Sequence, residues 1–163
     1  MVPTQQGPTF RLELRRTFAA PRERVFRAWV EREALERWMC HDGDATEVRY
    51  LELDARPGGR YRMEVTMRNS GERYLLFGTY REVTPPERIA FTWAWERVHP
   101  DPGQVTSLGE TLVTVVLFAR GESTEILLTQ EPFPTVKRRD EDSTGWNACF
   151  DALERHLPAM GSR

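Results

Sequence analysis

Arg60-Tyr61-Arg62-Met63-Glu64-Val65-Thr66-Met67 alternates apolar and polar side chains with a period of two. Successive side chains of a strand point to opposite faces, so this segment reads as a strand with one apolar and one charged face. On its N-terminal side, Ala55-Arg56-Pro57-Gly58-Gly59 is a strong turn signal, and residues 46–54 form the strand before it. On its C-terminal side, Asn69-Ser70-Gly71 turns the chain into a strand over residues 74–83. Thr84-Pro85-Pro86-Glu87 turns it again. Ile89, Phe91, Trp93 and Trp95 then alternate with Ala90, Thr92 and Ala94. Residues 99–109, rich in Pro, Gly, Asp and Ser, read as a loop. Residues 111–118 and 124–130 make a last hairpin about Arg120-Gly121-Glu122-Ser123. Turn signals at short intervals with no helix between them predict an antiparallel meander.

The flanks are different. Phe10 to Phe18 alternates with period two and is a further half-buried strand, after a loose leader over residues 1–9. Pro21 suits the first turn of a helix, where its missing N–H is not needed. Val25, Phe26, Trp29 and Val30, then Leu35, Trp38 and Met39, recur at three- and four-residue steps. They predict two short helices bent near Glu31–Glu33. Trp146, Cys149, Phe150, Leu153 and Leu157 share one face of a long final helix that Pro158 stops, with Thr135 as its N-cap, or Asp142 or Ser143 if it starts later. The domain is expected to span 10–157, with 158–163 a tail. The order is strand, two helices, about six strands, one long helix, which is an α+β fold.

With 163 residues the chain fits one domain able to bury a core without disulfides or metal. Lys and Arg number 23 and Asp and Glu 25, for a net charge of −2. Arg and Glu are interleaved, as in Arg22-Glu23-Arg24, so no basic stripe exists to neutralise phosphates and a nucleic-acid partner is not expected. No apolar run reaches the ~20 residues of a membrane span, so membrane insertion is not expected. Residues 1–8 lack the basic and apolar regions of a signal peptide, and a cytoplasmic location is expected. Cys40 and Cys149 lack metal-binding or redox spacing and read as reduced packing thiols.

A broad antiparallel sheet twists and curves, and a single helix about 10 Å across is too slim to fill its concavity. A space between them is therefore expected, lined by the inward phase of the strands. From the strands, Met63, Val65, Phe77, Phe91, Trp93 and Trp95 are candidates for its wall. From the helices and their connections come Trp38, Phe133, Trp146 and Phe150. These large groups would either wall an apolar ligand pocket or simply fill the core. Gly145, inside the helical pattern, costs about 1 kcal/mol against Ala. Either a backbone or ligand approaches closely there, or the helix begins nearby.

The chain resembles the START-like (SRPBCC) superfamily, whose helix-grip fold is shared with the birch pollen allergens. Within it, the resemblance is to the family named after the activator of the heat-shock-protein-90 ATPase. It is carried in register by residues 20–29 (APRERVFRAW), Leu35-Glu36-Arg37-Trp38, Arg56-Pro57-Gly58-Gly59-Arg60-Tyr61, residues 78–89 and Gly145-Trp146. It implies a curved sheet of six or seven strands wrapped around a long C-terminal helix, and a cavity between them. It implies a small apolar ligand, such as a lipid, in that cavity, or else an aromatic-polyketide cyclase or hydrolase, or a chaperone partner. Family members commonly carry Thr-Asp-Pro where this chain has Val30-Glu31-Arg32. They place a His at the end of the last strand, where this chain has Gln130, and a His three residues before Gly-Trp, where it has Asp142.

Other motifs carry less. Pro57-Gly58-Gly59 leads into a strand, not a helix N-terminus, so it is a turn and not a phosphate cradle. His41, Asp42, Asp44 and Glu47 form a loop cluster expected to stay solvated, and no metal or other cofactor is expected. His99 with Asp101 is a similar pair. For catalysis, none of His41, His99 and His156 lies on an inward strand face. Tyr61, Tyr74, Thr79, Glu110, Gln130, Glu131 and Asp142 could reach the cavity, with the carboxylates either tuned for acid–base work or paired with Arg60, Arg62 or Arg81. No nucleophile–base pair stands out. A homodimer through an edge strand or the helical face is left open.

Overall fold

Residues 60–67 form β3 (Arg60–Met67), and its alternation is realised: Tyr61, Met63 and Val65 are buried while Arg60 and Arg62 are exposed. The computed structural model describes residues 7–40, 45–101 and 104–160. Around β3 lie β1 (Phe10–Phe18), α1 (Arg22–Val30), α2 (Arg32–Trp38), β2 (Thr46–Leu53), β4 (Arg73–Thr84), β5 (Arg88–Val98), β6 (Val105–Arg120), β7 (Ser123–Phe133) and α3 (Val136–His156). The seven strands pair antiparallel in the order β1-β7-β6-β5-β4-β3-β2. This is the helix-grip arrangement, with α1 and α2 linking the two edge strands and α3 lying across the concave face.

Local chemistry sets the helix ends. Glu31 is extended, at φ −93 and ψ 131, and so separates α1 from α2 at the expected bend. Pro21 is the extended residue before α1 and not its first helical residue. Thr135 caps α3, its hydroxyl accepting the Arg138 N–H at 3.1 Å and satisfying one of the free amides of the first turn. Arg16 on β1 fastens α3 to the sheet edge through Asp151 at 2.8 Å and Glu154 at 3.5 Å.

The second half of the expected loop over 99–109 is strand. β5 continues to Val98 and β6 starts at Val105, with Glu96, Arg97 and Val98 paired to Ser107, Thr106 and Val105. Backbone pairing needs no apolar side chains, so a ladder of mostly polar residues was hidden behind loop-like composition. Gly109, at φ +89, lies where the β5–β6 register shifts, a conformation suited to glycine.

The sheet is tightly engaged at Gly78. A Cβ there would lie 2.0 Å from the Thr92 carbonyl oxygen, so only glycine lets β4 and β5 approach. Beside it the Thr79 N–H donates to Thr92 Oγ1 at 2.8 Å, and the Tyr61 hydroxyl donates to the Thr92 carbonyl at 2.6 Å.

Candidate functional site: an aromatic cavity under the long helix

α3 packs on β1, β7 and α2, with no comparable approach to β3, β4 or β5. At the α1–α2 end this gap is filled. Trp29 lies 4.7 Å from Trp38, 6.0 Å from Trp146 and 6.3 Å from Phe150 between ring centroids. The Trp38 indole N–H donates to the Ala28 carbonyl, and a void of only about 10 Å³ remains beside Trp29, Tyr61 and Phe91. At the opposite end, under the first half of α3, a cavity of about 630 Å³ stays open.

Of the ten residues expected at the wall, Val65, Trp93, Trp95 and Trp146 line this cavity. Trp38, Met63, Phe133 and Phe150 are fully buried core, and Phe91 packs against Trp29, Tyr61 and Tyr80. Phe77 falls on the other face of the sheet, opposite Arg62 and Ala94, because the inward phase of β4 runs through Tyr74, Leu76 and Tyr80. The expectation that aromatic size marks the wall thus failed for residues near α1 and α2, which themselves plug half of the concavity.

The sequence reading missed Cys40, Thr46, Met67, Arg138, Glu141, Thr144, Ala148 and Cys149 as lining groups. Arg138, Glu141, Asp142, Gly145 and Ala148 recur at helical spacing, and that stripe was legible one step round from the apolar face. Gly145 lies in mid-helix with nothing within 4 Å of an added Cβ. Neither a helix start nor a close protein backbone explains it, and it opens onto the cavity.

Polar groups on this wall are held in a chain. The Trp146 indole N–H donates to Gln130 Oε1 at 2.8 Å. That fixes the fully buried Gln130 amide, whose Nε2 donates to Thr111 Oγ1 at 2.8 Å and to Asp142 Oδ2 at 3.2 Å. Gln130 and Asp142 therefore meet each other. Burial pushes the Asp142 carboxyl above its ordinary value, opposed by the nearby Arg138 charge and the Gln130 hydrogen bond. Cys40, at φ +59, donates its N–H to Cys149 Sγ at 3.0 Å, and its carbonyl accepts the Thr46 hydroxyl. Contact with the Cys149 side chain, then burial, hold the Cys40 thiol well above its ordinary range, so it stays protonated.

The other polar candidates lie elsewhere. Tyr61 is buried with its hydroxyl spent on Thr92, and Glu131 is exposed and pairs with Arg11 at 3.8 Å. Thr79 and Glu110 do not line the cavity, whereas Tyr74 and Asp142 do. His99 contacts Thr106 at the surface. His41, Asp42 and Asp44 lie outside the described residues. Among the described residues no three His, Cys, Asp or Glu side chains are grouped to hold a metal, and no helix is long and apolar enough to cross a membrane.

A curved sheet gripping one long helix around an apolar chamber defines the START-like class. The chain belongs to the Activator of Hsp90 ATPase homolog 1-like protein family, which matches over residues 19–158. It is similar in structure to a Chromobacterium violaceum protein at 29% identity and TM-score 0.77, covering 90% of this chain and 96% of that one. A Rhizobium leguminosarum protein is 25% identical with TM-score 0.77, covering 94% and 97%. The AHSA1 protein of Silicibacter pomeroyi shares the fold at 22% identity and TM-score 0.76, covering 92% and 99%. A comparison with curated proteins gives no match. Family and fold together support a ligand-binding or cofactor-like module in general terms.

Proposed function

We propose that the chain binds a small apolar or amphipathic molecule in the cavity between β3–β5 and α3. The observation that carries this reading is a chamber of about 630 Å³ walled by Val65, Met67, Tyr74, Trp93, Trp95 and Trp146. That volume falls within the ~300–1,000 Å³ of small-molecule sites, and such sites are mostly apolar with a few placed polar groups. Each Å² of apolar ligand surface removed from water contributes roughly 25 cal/mol, before the costs of association. Asp142, in the wall with its carboxyl pushed up, is the one group that also favours a cyclase- or hydrolase-type reading.

Titration with Nile red, fatty acids and polycyclic aromatics, followed by calorimetry and tryptophan fluorescence, tests the binding reading. Saturable one-to-one binding that is lost on filling the chamber with Val65→Trp supports it. A folded protein that binds none of these compounds overturns it. Turnover abolished by Asp142→Asn with binding retained would favour the enzyme.

A further inference from the structure

The cavity wall is chemically lopsided, and the asymmetry selects a ligand class. Three ring contacts run unbroken across it: Tyr74 to Trp95 at 5.8 Å, Trp95 to Trp93 at 6.1 Å, and Trp93 to Trp146 at 4.9 Å. All four rings line the space. Aromatic faces carry the negative side of a quadrupole and attract cations within about 6 Å of the ring centre. On α3 the cavity is lined by two adjacent carboxylates, Glu141 and Asp142.

Asp142 is held in place from behind. Trp146 fixes which way the Gln130 amide points, and Gln130 spends its two N–H groups on Thr111 Oγ1 and Asp142 Oδ2. Asp142 Oδ1 keeps no hydrogen-bond partner among the described residues. A fixed carboxylate with one free oxygen, in an aromatic chamber, is an acceptor for a donor or a positive charge. Arg138 lies one turn earlier and also lines the space. It makes no ion pair within 4.0 Å among the described residues. The charged groups of the wall therefore sum to one guanidinium against two carboxylates, leaving the lining negative when all three are ionised.

We infer that the cavity takes an organic cation, an apolar or aromatic body bearing an amine or quaternary ammonium, with Asp142 as its counter-ion and the Tyr74–Trp146 ring series as its cation–π wall. This rests on the cavity being a ligand site, as proposed above. A carboxylate-headed ligand would meet Glu141 and Asp142 as like charges.

The experiment uses one body with three heads: 1-naphthylmethylamine, 1-naphthylmethanol and 1-naphthylacetate, titrated calorimetrically at neutral pH into the full chain and into Asp142→Asn. The amine is expected to bind about ten-fold more tightly than the alcohol, as one charge-assisted contact supplies. Asp142→Asn should remove that preference, and circular dichroism with a thermal melt shows that the variant is folded. The head-group series on the unmutated chain stands even if the variant misfolds. Equal binding of all three compounds overturns the cation inference and leaves the cavity reading intact. Tightest binding by the acetate overturns it in favour of Arg138 as the anchor. No binding of any of the three, with Nile red also excluded, overturns both readings.

Discussion

Asp142 shows how one residue couples the cavity to stability. Its carboxyl is raised chiefly because burial disfavours the charged form, so the native chain holds a proton where the unfolded chain has lost it. Where the native state binds more protons, stability falls as pH rises. The cost of Asp142 is therefore full above its raised native value and absent below its ordinary value of 3.8. Asp142→Asn carries no such cost, and its amide oxygen can still accept from Gln130. The variant is expected to melt at a higher temperature than the parent at pH 7, with the gap closing as pH falls below the ordinary carboxylate range. Thermal melts across that range check it, and a gap that widens on acidification contradicts it. Residues were also where inference from type alone misled: Phe77 is as apolar as Phe91, but one strand phase puts it on the opposite face.

Among the elements, α3 is the one whose sequence carries a cost without a packing reason. Gly145 sits ten residues into a 21-residue helix, where Ala would be favoured by about 1 kcal/mol, and an added methyl group meets nothing. Gly145→Ala is expected to raise the melting temperature by about 2–4 °C while narrowing the cavity and weakening the larger ligands. Differential scanning calorimetry with a Nile red titration checks both halves. Unchanged binding would mean that the glycine does not set the size of the entrance. Elements with strong side-chain alternation, such as β3 and β5, were readable to within a residue or two. β6 was not, because its first third pairs through the backbone with polar residues that look like loop.

At the scale of the whole molecule, the core and the cavity are two ends of one concavity. Phe150 joins α3 to β1 and α1, touching Phe18, Trp29 and Trp146 with ring centroids 5.6–6.3 Å apart. It is fully buried. Phe150→Ala should cost about 3–5 kcal/mol, read by denaturant unfolding. A loss below 1 kcal/mol would mean that α1 and α2 hold the filled end without it.

What the chain determines by itself is periodic: period two for the strands, three and four for the helices, and Gly, Pro and Thr135 for their ends. These are local, so an antiparallel sheet of about six or seven strands with one long helix could be read directly from the residues, and the grip arrangement from the family resemblance they carry. Which aromatic groups fill the concavity and which are left facing open space was settled only by tertiary structure. Trp29 and Trp38 lie far from Phe150 in sequence, and only their packing together closes one end of the sheet while the other, under Gly145 and Asp142, stays hollow. Periodicity says which way a side chain points; it does not say whether another element arrives to cover it.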